Sequence, residues 1–481
     1  MSTVADRLTG FGEVPRPPGP QGLPRLLAWP EAGRAGGTGE ARGRRAGGAG
    51  RPGAGGAAGL GAPWAAVDLS RHRLVHPTPP LPLADGRPRE DLLAAVERSG
   101  LRGRGGAGFP TGRKLRAVSA TRRGVVVVNG AEGEPASGKD KLLLGAVPHL
   151  VLDGALLAAA AVGAGEVVVC VDHTATAARA AVAWAVEERR RAEPGPSVRV
   201  VTVPARYVAG EETALVHWLN GGPAIPTRTP PRVFERGVGG RATLVDNVET
   251  LAHLAQILRF GPDWFRQLGT EEEPGSALVT LSGAVARPGV YEIPIGARLA
   301  DVVGTAGTPA GVAAVLVGGY FGAWLDASGA GRARLSAAEL RPLGASLGCG
   351  ALVVLPEGAC GLRETARVLG WLAGQTAGQC GPCVHGLAAI ATATAALHAG
   401  RGGAAGLDRL RRWASQVEGR GACRMPDGAV RFLHSALHVF ADEVARHLRH
   451  GGCTSAPGPA VLPFPVSDPT AIPAHGGAPW R

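Results

Sequence analysis

Lysine is almost missing from this chain. Only three of its 51 basic residues are Lys, at positions 114, 139 and 141, and the remainder are Arg. With 75 Gly and 39 Pro among 481 residues, this reads as a coding bias toward GC-rich codons. The net charge of +12 is therefore a weak argument for nucleic acid. Aromatic residues make up only 4% of the chain, too few for a base-stacking surface, so no nucleic-acid partner is expected. No run of eighteen apolar residues is free of charge, which argues against a membrane span. The longest apolar stretch, 147–171, contains Asp153 and Glu166 and reads as buried helix followed by strand. A basic-then-apolar leader is lacking, so a cytoplasmic chain is expected. The seven Cys are odd in number and scattered, unlike a disulfide framework. Metal ligation is the better question for them.

The three Lys all fall within 114–141. A chain that writes nearly every other cation as Arg keeps a compact point charge there, which points to a functional demand.

Residues 1–75 are dominated by Gly, Ala, Pro and Arg and are expected to be disordered, as is the Pro-rich stretch 454–481. Between them three blocks appear. Residues 76–265 alternate helical and strand patterns, with Val-rich runs at 124–129, 167–172 and 198–203, and predict a Rossmann-like α/β domain on a parallel sheet. Residues 276–340 carry short strands divided by Gly and Pro turns around one helix, a small α+β module. Residues 355–450 have helical periodicity at 362–372, 384–398, 407–417 and 429–448, a four-helix bundle with Cys clusters at its junctions.

Four motifs sit in the first block. Gly103-Arg104-Gly105-Gly106-Ala107-Gly108 is a formal GxGxxG, but in so glycine-rich a chain that pattern arises by chance. A helix precedes it where the dinucleotide fingerprint needs a strand, which disfavours a standard Rossmann turn. Its physics still suits an anion, because successive glycines let backbone N–H groups converge without Cβ interference. Arg102, Arg104, Arg113 and Lys114 flank it, and Phe109 offers an aromatic face. The bland alternative is a solvated Gly/Arg loop. The second motif, Asn129 to Pro135 with Glu132 and Glu134, follows the Val strand, where parallel sheets place ligands; the alternative is a charged surface turn. The third runs from Tyr207 through Gly210, Glu211 and Glu212, and its acids could equally be ordinary first-turn partners of a helix dipole. The fourth, Thr243 to Thr250, holds Asp246 and Asn247, for which capping of the next helix is the local alternative.

In order and wording together, the four motifs resemble the flavin-bearing, NADH-oxidising subunit of respiratory complex I. That family includes the flavin subunits of NAD-linked formate dehydrogenases and NAD-reducing hydrogenases. The resemblance continues through Leu281 to Glu292, similar to the family's ubiquitin-like SLBB module, into the Cys region, and covers about residues 80–450. It implies an FMN-dependent NAD(P)H dehydrogenase that passes hydride from NADH to FMN and then single electrons to an iron–sulfur centre. It implies FMN held by Gly103, Arg104, Gly105, Gly106, Lys114, Asn129, Glu132, Tyr207, Gly210, Glu211, Glu212, Asp246, Asn247 and Thr250. NAD(H) would meet Phe109, Glu134 and Glu212. No side-chain acid or base is expected to be catalytic. The implied partners are a thioredoxin-like ferredoxin subunit and a further iron–sulfur subunit, on the inner face of the membrane.

The chain departs from the family at several positions. Ala131 replaces an Asp, Asp246 an Asn, and Ala117 and Arg232 two aromatics. Two readings of Arg232 stay open, weaker NAD(H) binding or preference for a phosphorylated cofactor. The family's [4Fe–4S] ligands correspond to Cys380, Cys383 and Cys423, but the first ligand position is Ala377. Three readings compete there: a cluster with a non-Cys ligand such as His385, a three-iron form, or an empty site. Cys170, Cys349, Cys360 and Cys453 read as plain buried or tail thiols. These departures define the alternative, a non-catalytic binding or assembly module that has lost its cluster.

Overall fold

The computed structural model describes residues 23, 25–27, 66–76, 87–121, 124–192, 195–308, 311–453 and 458–465. Four parallel strands form the first sheet: β1 Val125–Gly130, β2 Glu166–Asp172, β3 Ser197–Val203 and β4 Thr243–Asn247, in the order β3-β2-β1-β4. Around it lie α1 Leu69–Val75, α2 Arg87–Ser99, α3 Thr111–Ser119, α4 Lys139–Ala146, α5 Pro148–Val162, α6 Thr176–Ala192, α7 Glu212–Leu219, α8 Val248–Phe260 and α9 Pro262–Arg266. The β-branched run of β1 is buried on both faces, as a central parallel strand requires. Pro148 opens α5 and Gly163 closes it in the left-handed conformation. This is the α/β architecture expected from the Val runs.

The second sheet has five strands: β5 Ser276–Gly283, β6 Gly289–Pro294, β7 Val312–Val317, β8 Ala323–Asp326 and β9 Ala351–Pro356. Their order is β6-β5-β9-β7-β8, with α10 Leu299–Ala306, α11 Ala327–Arg332 and α12 Ala337–Leu340 between them. The module thus runs past its expected end at 340. β9 is the central strand, parallel to β5 and antiparallel to β7. It is one continuous apolar run, which periodicity alone does not assign to strand or helix.

Five helices follow: α13 Gly361–Gly374, α14 Leu387–His398, α15 Gly403–Val417, α16 Met425–Val439 and α17 Ala441–His450. A π-helical turn, Pro382–Gly386, precedes α14. The single helix expected over 429–448 is interrupted at Phe440 (φ −104°, ψ 28°). The Phe440 ring packs 5.3 Å from Trp324 and lies over Gly361, so tertiary packing overrides the helical period there.

The disorder expected for residues 1–75 is corrected at two places. The Arg25 guanidinium lies 3.7 Å over the Trp264 ring and donates to the carbonyls of Trp264 and Phe265. The amides of Arg25 and Leu26 donate to the buried Glu292 carboxylate at 2.8 and 2.9 Å. α1 is held by His72, whose Nε2 lies 2.7 Å from Asp153 of α5. Arg189 of α6 and Arg259 of α8 converge on the same carboxylate. In the C-terminal stretch, Leu462 is buried and Arg363 donates to the Gly458 carbonyl. Isolated apolar side chains and paired charges anchor these short segments, which bulk composition does not reveal. The remainder of both tails lies outside the described residues. Among the described residues no single helix is long and apolar enough to cross a membrane, and the apolar pair α4–α5 bends by 96°.

α5 and α8 press backbone to backbone, since a Cβ on Gly154 would stand 1.8 Å from the Leu251 carbonyl oxygen. Gly154→Val is expected to destabilise the protein by about 3 kcal/mol, the upper end of ordinary overpacking. Urea unfolding followed by circular dichroism checks this.

Candidate functional site

The four motifs meet at the C-terminal ends of β1 and β4, where Asn129 and Asn247 are register partners. Parallel sheets bind ligands at this edge. The glycine loop runs from α2 to α3, confirming that a helix precedes it. It is closed by Gly103 N–H to the Phe109 carbonyl and Thr111 N–H to the Leu101 carbonyl, both 2.9 Å. Arg104 N–H donates to Thr250 Oγ1 at 2.8 Å, which docks the loop on the start of α8. A Cβ on Gly105 would meet the Asn247 Cβ at 3.3 Å, and Gly106 has φ +112°. A side chain at 105 would press on Asn247, and the backbone at 106 is one that glycine adopts without strain. Phe109 remains 49% exposed, an aromatic face available to a ligand. On another side of the loop a cavity of about 430 Å³ is walled by Arg102, Arg104, Arg341 and Arg431, with Glu273 as the counter-charge.

Lys114 turns inward from α3. Its ammonium donates to the Val245 carbonyl at 2.5 Å and lies 3.6 Å from Asp246 and 3.7 Å from Glu212. Burial pushes the Asp246 carboxyl above its usual range despite Lys114. Among the described residues its Oδ2 finds no hydrogen-bond partner, nor does Arg104 Nε. Buried orphan atoms of this kind, beside a glycine cradle, fit a polar ligand such as a flavin nucleotide.

Other predicted residues are engaged by the fold. Glu132 accepts from Ser137 Oγ (2.6 Å), from the amide of Asp140 and from Lys141. Glu211 caps α7 through the amides of Thr213 and Ala214. Asn247 caps α8 through Glu249 N–H and also donates to Asp140. The capping alternatives for Glu211 and Asn247 are therefore real, and both residues still face the shared edge. Asn129 Nδ2 donates to the Gly210 carbonyl at 2.7 Å, linking motifs two and three. Ala131 packs its carbonyl where a Gly210 Cβ would be, 2.5 Å away. Arg232 is exposed, its amide bonded to Glu235.

Glu134 lies under two tyrosines. It accepts from Tyr207 Oη at 2.9 Å, from Tyr320 N–H at 2.8 Å and from Ala136 N–H at 3.1 Å. Burial outweighs these donors and pushes its carboxyl up to about 7. The sequence reading missed Tyr320 and Lys139 as site residues. Lys139 is buried with its ammonium 2.7 Å from Asp140 and 3.0 Å from Glu249. Burial opposes its charge, but the three carboxylates of Asp140, Glu249 and Glu132 raise its pKa. Burial also opposes Glu249, yet Lys139 and His253 hold it down to about 2. The scarcity of Lys was the available signal for Lys139; Tyr320 had none.

Cys380 and Cys383 flank the start of the π turn, and Cys423 precedes α16. Burial pushes the Cys423 thiol up, and Cys380 and Cys423 pack against the same hydrophobic cluster that contains Cys383. Burial likewise raises Cys383, opposed by hydrogen bonds from Thr376 and the Ala377 amide, so the alanine stands beside the set. Thiolates are the donors an iron–sulfur group takes, and this set supplies three of the usual four. His385 is exposed on the same turn.

Comparison with known proteins matches residues 96–256 to a model described as Nuo51 FMN-binding domain. Residues 278–315 match an SLBB domain, and 363–447 an NADH-ubiquinone oxidoreductase-F iron-sulfur binding region. The F subunit of the NADH-quinone oxidoreductase of Mycobacterium tuberculosis (strain ATCC 25618 / H37Rv) is 33% identical over 427 residues, 83% of this chain and 94% of its relative. The chain belongs to the NADH-quinone oxidoreductase F-subunit family. The corresponding protein of Streptomyces coelicolor is 34% identical over 393 residues, covering 76% of this chain and 85% of that one. The fold is also similar to a chain of an NAD+-reducing [NiFe]-hydrogenase, with TM-score 0.69 and 30% identity over 75% of this chain. The match spans 62% of that hydrogenase chain.

Glu134 yields a pH test. An unfolded Glu titrates near about 4.3, and the folded carboxyl near about 7. Between these values the folded state binds more protons, so its stability falls as pH rises through the window. Thermal melts from about pH 4 to about pH 7 should show this decline, and Glu134→Gln should flatten it.

Proposed function

We propose that this chain is the FMN-bearing NADH dehydrogenase subunit of a multi-subunit oxidoreductase, delivering electrons through an iron–sulfur centre to partner subunits. The observation that carries this reading is the glycine loop docked on Asn247 and Thr250 beside Lys114, inside the span of the FMN-binding family model. FMN, when bound, takes an electron pair with a hydride from NADH and releases electrons singly.

Gly103 to Gly106 and Lys114 would hold the phosphate side, with Asn247 and Thr250 fixing the loop. Asn129, Tyr207 and Gly210 would line the ring side, and Glu211 and Glu212 the edge toward nicotinamide. Glu132 acts in this reading by shaping the turn through α4. Phe109 offers a stacking surface for NAD(H), and Glu134 an acceptor beneath it. Cys380, Cys383 and Cys423 would hold the cluster, with position 377 contributing no thiolate. The chain's tasks are positioning and water exclusion, so no side-chain acid or base is assigned to catalysis. The partners in this reading are electron-transfer subunits, among them a thioredoxin-like ferredoxin, with a peripheral place on the cytoplasmic face.

In this reading the FMN and NADH domain spans 76–265, the SLBB-type module 276–356 and the helical region 361–450. In the last, α13 to α16 are read as a four-helix bundle with α17 appended.

The test is direct. The purified chain should take up FMN and bleach on anaerobic addition of NADH. Gly105→Val should weaken FMN binding at least about tenfold, or about 1.4 kcal/mol, because its side chain is aimed at Asn247. A chain that binds no FMN would overturn the reading and leave the non-catalytic assembly module.

A further inference from the structure

Two thiols outside the Cys380 set meet an imidazole. Cys360, at the N-cap of α13, His447 of α17, and Cys453, just beyond α17, bring their ligand atoms within 4.8 Å of one another. Cys360 and His447 are buried, and no disulfide joins the two cysteines. The Cys360 Sγ to His447 Nε2 distance is 3.6 Å. Zn–S and Zn–N bonds of ordinary length at a tetrahedral angle put the two donors about 3.6 Å apart.

The histidine is also oriented for ligation. His447 Nδ1 lies 2.7 Å from the His398 carbonyl oxygen, which can only accept, so Nδ1 carries the proton. In the neutral imidazole Nε2 then carries the lone pair, and it faces the thiol. A backbone carbonyl fixing the far nitrogen is the usual outer support of a metal-bound imidazole. Glu443 stands one turn before His447 on α17, with Oε1 3.0 Å from Cys360 Sγ and 4.0 Å from Nε2. The amide of Arg363 points at Cys360 Sγ from 3.2 Å, a donor suited to a thiolate. The Cys360 thiol donates to Glu443 Oε1 at 3.0 Å, and the same carboxylate accepts the Leu362 and Gly361 amides at 2.7 and 3.1 Å, so thiol, carboxylate and imidazole are already held around one point. A divalent cation that takes the place of the thiol protons would be held by the same groups.

We propose that Cys360, His447, Cys453 and Glu443 form a structural zinc site, separate from the iron–sulfur cysteines. Two sulfurs, one imidazole and one carboxylate suit Zn²⁺ in a closed tetrahedral set. On binding, the two thiols lose their protons to solvent and the metal takes four protein ligands, with no change of oxidation state. The site ties the start of α13 to the chain leaving α17. From there residues 458–465 lead back over the molecule, where Phe464 packs 5.8 Å from Tyr320 and 6.1 Å from Trp371. Those rings support Tyr207 and Glu134. The metal would thus anchor the strap that backs the nicotinamide side, and this inference stands whether or not FMN binds.

The test uses the full chain. After reconstitution with zinc and desalting, elemental analysis should find about one zinc bound at this site per chain. Zinc K-edge absorption on the wild type should report two sulfur and two nitrogen or oxygen ligands. Cys360→Ser and Cys453→Ser should each lose that zinc, whereas Cys380→Ser should retain it. Glu443→Gln should weaken zinc affinity about tenfold. Full zinc retention in the Cys360→Ser/Cys453→Ser double variant overturns the proposal. So does a shell of three or four sulfurs, or a wild-type mass showing Cys360 joined to Cys453.

Discussion

The buried ammonium of Lys139 joins most of the ligand edge. Removed from water, it is stable only because Asp140 and Glu249 stand 2.7 and 3.0 Å away and Asn247 accepts from it at 3.3 Å. Losing one partner of such a pair typically costs about 3–5 kcal/mol, since it strands the other charge. Glu249 also accepts the Leu278 amide at 2.8 Å, at the start of β5. One residue before Lys139, the Gly138 amide donates to Thr280 of the same strand. Motif two, motif four and the second sheet are therefore fastened through one charge. A residue with a longer, planar head would not sit between those two carboxylates in the same way, which explains a Lys in a chain that otherwise prefers Arg.

Several polar side chains of the motifs are spent on helix starts. Glu132, Glu211 and Asn247 bond to amides in the first turns of α4, α7 and α8. Those helices all begin at or near the ends of parallel strands, so their positive ends face one region. Among the described residues, the buried atoms left without a partner there include Asp246 Oδ2, Arg104 Nε and Thr111 Oγ1. Ligand affinity at such an edge rests on backbone amides and a small number of unpaired polar atoms.

Much of this was legible in the sequence. β-branched runs marked the parallel strands, and the order of the four motifs pointed to the family. The GxGxxG pattern itself carried little; Phe109, Lys114 and the contacts to Asn247 and Thr250 distinguish the loop. Contacts between distant segments were not legible. Arg25 on Trp264, Tyr320 above Glu134, and Cys360 beside His447 and Cys453 join residues whose local patterns carry no trace of one another. Phe440 illustrates the same limit, since its neighbours read as one helix until Trp324 and Gly361 are placed around it.

The central position of β9 sets an order of events during synthesis. β5 and β7 lie on either side of β9 and do not pair with each other. Until residue 356 has left the ribosome, both present unpaired edges that can recruit other chains. The first sheet, complete at Asn247, can condense earlier and offer β5 a surface through Glu249 and Thr280. A nascent chain stalled between these points would be half folded and adhesive, so the interval from β5 to β9 is where a chaperone has most to protect.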